Sequence, residues 1–256
     1  MSAVEVLDPT RWHGDHQRLV GQTMEGWRRR GKYLIGDLSS DCSVVSHLGM
    51  TGQWVIGSLR ERRHQRVRVS FHGARAPECV VLVDPRRFGC QWVWPTSRLP
   101  EHPRLVGLGR DPLLSPVDGE WLRETLGRSS SILRRRLMEQ SLISGLGNIA
   151  VSEIAWRAAV HPHRRCLSLD AGDWSRIAEA THAYIRDTLA VEEASPTDEV
   201  VYLSVAGAHN PFHVYGREGE GCPRCEGILI RESMGGRPSF FCDDCQASPA
   251  AALPRS

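Results

Sequence analysis

The sequence predicts an α+β chain of several domains: an antiparallel β-sandwich or barrel, a helical region, and a small metal-pinned hairpin. Three observations predict it. Short apolar or alternating runs recur through residues 4–94; after a proline-punctuated stretch at 95–118 the apolar period becomes helical; and two Cys-x-x-Cys pairs stand near the end. The 256 residues are 41% hydrophobic and 24% charged, which permits a sizeable core and excludes wholesale disorder. No run of 18 apolar residues occurs, so no membrane-spanning helix is expected. The first five residues carry no basic-then-apolar leader, and a cytosolic setting is expected. A net charge of +2 does not announce a nucleic-acid binder, but of 32 basic residues only Lys32 is lysine.

The β-capable runs fall at 4–7, 33–38, 42–48, 54–56, 66–71, 80–84 and 90–94. Alternation is strict in Arg66-Val67-Arg68-Val69-Ser70-Phe71, which buries one face and turns arginines outward. Pro95, Pro100, Pro103, Pro112 and Pro116 mark the domain boundary. A helix is expected over 132–142, with Arg134, Arg135 and Arg136 fanned around it. Gly145-Leu146-Gly147-Asn148 then opens a second helix through Val160, ended by His161-Pro162. Trp174, Ile177, Ala178, Thr181, Ile185 and Leu189 form one stripe of a third helix. The Ala/Pro/Ser-rich tail, 247–256, is expected to be disordered.

Cys42, Cys79, Cys90 and Cys166 stand singly and read as buried thiols. Cys222, Cys225, Cys242 and Cys245 supply four thiolates on two tight turns, the tetrahedral set of one structural Zn2+. Redox pairs or disulfides are the alternative, disfavoured in a reducing cytosol. Between the pairs, two β-capable runs flank Met234-Gly235-Gly236 and read as a hairpin with Arg237 near its tip. The Gly145–Asn148 turn is a phosphate cradle in principle, because helix-start N–H groups point outward with the macrodipole behind them; taken alone, most such turns are only helix caps.

The ordered set Arg30-Gly31-Lys32-Tyr33-Leu34, His47-Leu48-Gly49-Met50-Thr51-Gly52, Asp84-Pro85-Arg86-Arg87-Phe88-Gly89, Leu108-Gly109-Arg110-Asp111-Pro112-Leu113, Gly145-Leu146-Gly147-Asn148-Ile149, Ser152-Glu153-Ile154 and Val214-Tyr215-Gly216-Arg217, with the terminal finger, resembles the formamidopyrimidine-DNA glycosylase (Fpg/Nei) family over residues 4–246. The resemblance implies an N-terminal antiparallel β-sandwich over 1–103, a helix–two-turn–helix domain over 104–204 and a C-terminal zinc-finger β-hairpin over 205–246. It implies a monomeric bacterial base-excision-repair enzyme, cytoplasmic and nucleoid-associated. Such an enzyme flips a damaged purine out of duplex DNA, cleaves its glycosidic bond and cuts the strand at the abasic site. Lys32 matches the lysine of proton transfer and phosphate contact in strand elimination. Arg237 matches the zinc-finger arginine that grips phosphate, and Asn148 the asparagine on the same backbone. Met50, Arg86 and Phe88 match the trio that fills the vacated space and faces the orphaned base. His64 matches a DNA-contacting histidine, and Arg134 is assigned to the DNA-binding set.

The sequence departs from the family pattern in four places. The catalytic N-terminal proline and its glutamate are not matched by Ser2-Ala3-Val4-Glu5, which reads as a later strand; about 25 residues are expected upstream by comparison with the family. Ala150 replaces a usual tyrosine, the flap sequence is not recognisable in 193–198, and Pro238 replaces a small polar residue. Two readings follow: a glycosylase and strand-cleaving lyase whose start lies further upstream, or a damage-sensing homologue that binds without cutting. A generic zinc ribbon in an RNA or protein complex leaves the β-domain motifs unexplained.

Overall fold

The structure is a computed structural model that describes residues 1–57, 63–73, 77–194 and 210–246. The expected disordered tail, 247–256, and most of the flap stretch lie outside the described residues. The chain divides into two compact units, Met1–Gly107 and a second beginning at Leu108. Among the described residues no helix is long and apolar enough to cross a membrane.

Among its described residues the first unit contains nine strands: β1 Ala3–Val6, β2 Trp12–His13, β3 Met24–Arg30, β4 Tyr33–Leu38, β5 Ser43–His47, β6 Gln53–Gly57, β7 Gln65–Ser70, β8 Cys79–Val83 and β9 Cys90–Trp94. They form a four-stranded sheet, β1-β7-β8-β6, and a five-stranded sheet, β2-β9-β5-β4-β3. All pairs are antiparallel except β2 with β9, a two-residue parallel contact. Alternation places Val4, Val67, Val69 and Leu82 of one sheet against Leu38, Val44 and Val93 of the other, which makes this the expected sandwich. Strand β5 is buried on both faces: Val44 enters the sandwich, and Val45 packs with Ile35 beneath Leu99 of a 3-10 turn at Thr96–Glu101. Two strands escaped the sequence reading. β3, Met-Glu-Gly-Trp-Arg-Arg-Arg, is an edge strand exposed along most of its length and has no apolar alternation to find; β2 has only two residues.

The second unit holds α1 Gly119–Leu126, α2 Leu133–Leu137, α3 Asn148–Arg157, α4 Ala171–Ala194 and the hairpin β10 Leu229–Met234 with β11 Arg237–Cys242. Asp118 caps α1 by accepting from the Trp121 N–H at 2.8 Å. The helix expected over 132–142 is corrected to the five residues of α2. The apolar spacing of Leu137, Leu142 and Ile143 is helix-like, but the carbonyls of Gln140 and Leu142 accept from Gly109 and Arg110, at 2.9 and 3.0 Å. Helix α3 ends at Arg157, short of the expected Val160: Ala159 takes the left-handed conformation (φ 54°), Val160 N–H reaches back to Ala155 O, and Ala159 N–H to Trp156 O. The α4 stripe holds at Trp174, Ile177, Ala178 and Thr181, which are buried, and fades by Leu189, which is exposed.

Candidate nucleic-acid interface and metal centre

In the first unit the β3–β4 connection is a two-residue turn, Gly31-Lys32, closed by the pair Arg30 and Tyr33. Gly31 takes φ 57°, a conformation L side chains adopt rarely, and leaves Lys32 exposed at the turn. Tyr33 pairs with His47 across β4 and β5, with ring centroids 4.9 Å apart. Burial, and then the charges of Lys32 and Arg104, hold the His47 imidazole below its ordinary value. The His47 Nδ1 accepts the Gly49 N–H at 3.2 Å, so the Nδ1 is unprotonated in this arrangement.

Met50, Arg86 and Phe88 are brought together on two adjoining turns. Met50 is 67% and Phe88 47% exposed, although large apolar side chains normally lie in the core. The Arg86 guanidinium sits 4.9 Å from the centre of the Phe88 ring, within cation–π range. Asp84, 1% exposed, ties the turns to each other: its carboxylate accepts from the Thr51 hydroxyl at 2.7 Å and from the Gly89 N–H at 2.8 Å. The Thr51 oxygen in turn accepts the Arg86 N–H at 3.3 Å. His64, at φ 68°, joins the same node by accepting the Asp84 N–H at 3.1 Å. Gly49 is required here: at φ 67° a Cβ would lie 2.5 Å from the Phe88 carbonyl carbon. Arg87 turns the other way and forks onto buried Asp8, with contacts of 2.8 and 3.1 Å, which holds the Asp8 carboxyl below its usual range.

In the second unit, the Gln140 side chain braces the glycine turn, donating to Leu146 O at 2.8 Å and accepting from the Gly145 N–H at 3.0 Å. Asn148, the first residue of α3, donates from Nδ2 to Pro238 O at 2.8 Å. Arg237 is exposed at the start of β11, immediately after Gly235 (φ 61°) and Gly236 (φ 74°). Pro238 pairs with Ser233, one step beyond the turn-closing pair Met234–Arg237. Ladder alternation makes this a non-hydrogen-bonded pair, so the missing N–H removes no bond while the carbonyl remains in use. Arg134 requires a correction. It is 3% exposed, and its guanidinium is committed inside the unit: to Asn148 Oδ1 at 2.7 Å and to the carbonyls of Pro238, Arg237 and Met234 at 3.1, 3.4 and 3.3 Å. It is not a surface cation reaching toward DNA.

The four cysteine sulfurs of the finger lie within 4.8 Å of one another, with Cys222–Cys245 at 3.8 Å and Cys225–Cys242 at 3.5 Å. A tetrahedron with metal–sulfur bonds of about 2.3 Å has edges of roughly 3.8 Å, so the set fits one Zn2+ with no open position. None of the eight cysteines forms a disulfide. Cys42, Cys79 and Cys166 are buried as expected, Cys90 only partly; burial pushes the Cys166 thiol up to about 11.

Three residues that the sequence reading left without a role bind this finger to the helices. Glu153, 1% exposed, accepts from the Val214 and Tyr215 N–H groups at 2.9 and 3.0 Å, and from the backbone and Nδ1 of His213 at 3.1 Å each. Trp156 stacks on His213 and donates its indole N–H to the Cys222 sulfur at 3.3 Å. Gln246, fully buried, joins Cys242 N–H to Val160 O at 2.9 and 3.0 Å. The available signal was Glu153 itself, an acid in the middle of the run Ala150–Trp156, which is apolar but for Ser152 beside it.

The N-terminal domain of formamidopyrimidine-DNA glycosylase matches residues 2–91, the H2TH domain of the same proteins residues 108–199, and the zinc finger found in FPG and IleRS residues 219–247. The formamidopyrimidine-DNA glycosylase of Bartonella bacilliformis is 34% identical over 248 residues, covering 90% of this chain and 85% of that protein. That of Gluconobacter oxydans is 36% identical over 238 residues, covering 90% and 84%. Among solved structures, Lactococcus lactis Fpg bound to abasic-site DNA superposes with a TM-score of 0.85 at 27% identity, over 97% of this chain and 92% of that one. The same protein with a FAPY-dG containing DNA gives 0.83 at 27%, with the same coverage.

Proposed function

The chain belongs to the formamidopyrimidine-DNA glycosylase family, and on that premise we propose that it repairs oxidised purines in duplex DNA by flipping the damaged nucleotide out of the stack. The observation that carries the proposal is the exposed trio Met50, Arg86 and Phe88 anchored on buried Asp84. An apolar wedge beside a guanidinium is what a flipped base leaves room for: Phe88 separates the neighbouring steps, Met50 fills the gap, and Arg86 donates to the base left opposite. His64 contacts the backbone beside them. In the second unit Asn148 and Arg237 hold the phosphates, which set position without reading sequence.

The family chemistry is glycosidic-bond hydrolysis followed by strand elimination at the abasic site. Lys32 is the phosphate-contacting, proton-transferring group of the second step; a lysine suits it because, unlike arginine, it gives up its proton where other cations crowd it. Cys222, Cys225, Cys242 and Cys245 would hold a zinc with no open position, so its role would be structural, keeping in place the hairpin that carries Arg237. The protein acts as a monomer, on the nucleoid, in the cytoplasm.

The test is affinity for a duplex carrying an abasic-site analogue opposite cytosine, compared with the intact duplex. The missing base removes most of the unstacking cost, so a preference of about tenfold or more is expected; equal affinities would refute the proposal. A second reading, binding and sensing without cutting, is separated from it by borohydride trapping. A covalent adduct between the protein and the abasic duplex would favour the glycosylase and lyase, and its absence the sensing homologue.

A further inference from the structure

The buried guanidinium of Arg134 lies on α2 behind the two groups that face phosphate in the proposed function, and the inference rests on that reading. An amide side chain has a donor end and an acceptor end, and little but its surroundings decides which faces outward. Arg134 has donors only, so the end of Asn148 that it meets at 2.7 Å must be Oδ1. Nδ2 is thereby turned to the other side. One of its hydrogens is used on Pro238 O at 2.8 Å, and its second N–H has no partner among the described residues. The same guanidinium reaches the carbonyls of Met234, Arg237 and Pro238, the residues on either side of the Gly235-Gly236 turn. It therefore fixes the end of the hairpin against the first turn of α3. Burial, and then the charge of Arg237, lower its affinity for the proton, and a guanidinium keeps its charge in proteins.

We propose that Arg134 is a positioning residue, which locks the Asn148 amide with its donor end toward DNA and sets the hairpin register from which Arg237 reaches a phosphate. It does not touch DNA itself. A lysine would offer a point charge on a flexible stem in place of the planar fork whose Nη2 meets Asn148 Oδ1 and the Arg237 and Pro238 carbonyls while Nη1 meets Met234 O.

The discriminating experiment is a double-mutant cycle on the zinc-loaded 256-residue chain, comparing Arg134→Gln, Asn148→Ala and the double variant, with affinity for the abasic-analogue duplex measured across salt concentrations. Each single variant is expected to weaken binding about tenfold, the usual size of a lost hydrogen bond to a charged group. The double variant should fall within about twofold of the weaker single. The slope of log affinity on log salt should fall for Arg134→Gln no further than for Arg237→Gln, and should not fall further when the two are combined, whereas a phosphate contact made by Arg134 itself would lower the combined slope by another ~0.9. Losses that add in the Arg134/Asn148 cycle, or a further fall of the slope in the combined Arg134→Gln/Arg237→Gln variant, would overturn the proposal. If Arg134→Gln loses zinc or helix content, Arg134→Lys carries the same cycle. A readout without DNA separates this inference from the function it rests on. The Asn148 side-chain NH2 signals, identified by their loss in Asn148→Ala, should exchange slowly with solvent in the parent and rapidly in Arg134→Lys. Unchanged exchange would refute the positioning role even if no DNA were bound.

Discussion

Replacing Glu153 by glutamine changes one oxygen to an amide nitrogen at a site that offers only donors. The carboxylate receives four N–H groups, two on each oxygen, from Val214, Tyr215 and His213. In Glu153→Gln the remaining oxygen keeps one pair. If it keeps Val214 and Tyr215, the new NH2 confronts His213; the imidazole can change tautomer and accept, but the His213 backbone N–H cannot. One orphaned buried donor costs about 1–3 kcal/mol, and the two surviving bonds, no longer charge-assisted, lose about 0.5–1 kcal/mol each. The sum is near 3 kcal/mol. For a unit of this size that corresponds to a lowering of the melting temperature by about 10 °C. The assay is thermal denaturation of the zinc-loaded protein followed by near-ultraviolet circular dichroism, where Trp156 stacked on His213 reports the contact. Limited trypsinolysis should also cut earlier at Arg217, because the segment that Glu153 holds is released. A drop below about 3 °C with unchanged cleavage would refute the view that this carboxylate joins the finger to α3.

Gly49→Ala places a Cβ 2.5 Å from the Phe88 carbonyl carbon in a left-handed residue; it should destabilise the first unit by more than about 2 kcal/mol, a shift of roughly 8 °C or more, and an unshifted melt would show that the two turns do not abut. The Asp8–Arg87 pair makes a pH prediction. Because the Arg87 guanidinium lowers the native carboxyl below its ordinary 3.8, the unfolded chain binds the proton first, so the pair's stabilisation is complete above that value and lost as pH falls through the lower native one. Urea midpoints of the parent and Asp8→Asn should differ at pH 7 and converge below pH 3.8; parallel curves would contradict the assignment. Chelation of zinc should abolish binding of the abasic duplex by releasing the hairpin that carries Arg237, and unchanged affinity without metal would refute the finger's role.

Much of this was legible in the sequence, for identifiable reasons. Metal ligands are legible because coordination fixes their spacing, as at Cys222 and Cys242. Half-buried strands such as β7 are legible because the pleat imposes alternation on Val67 and Val69. The exposure of Met50 and Phe88 was not legible from their chemistry, which favours the core; only the surrounding motifs pointed outward. Arg134 was misplaced because three consecutive arginines suggest a solvated surface, and the acceptors that make burial tolerable, four oxygens from Asn148 and the hairpin, lie 14 to 104 residues away in sequence. The overlong α2 has the same origin: the residues that capture the carbonyls of Gln140 and Leu142 lie about 30 positions upstream.

Strand β3 runs along the open side of its sheet and ends in Arg28, Arg29 and Arg30, directly before the turn that presents Lys32. An open backbone edge invites a strand from another molecule; Arg28 forks onto Asp37 at 2.7 and 3.1 Å, and the like charges of Arg29 and Arg30 oppose such an approach between two copies. The same charges attract a polyanion. Association with DNA is then guided toward the turn from a distance of about a Debye length, so encounter should be fast at low ionic strength and slow steeply as salt rises. One short run of residues thus sets two rates in opposite directions, suppressing collision with its own kind and hastening collision with nucleic acid.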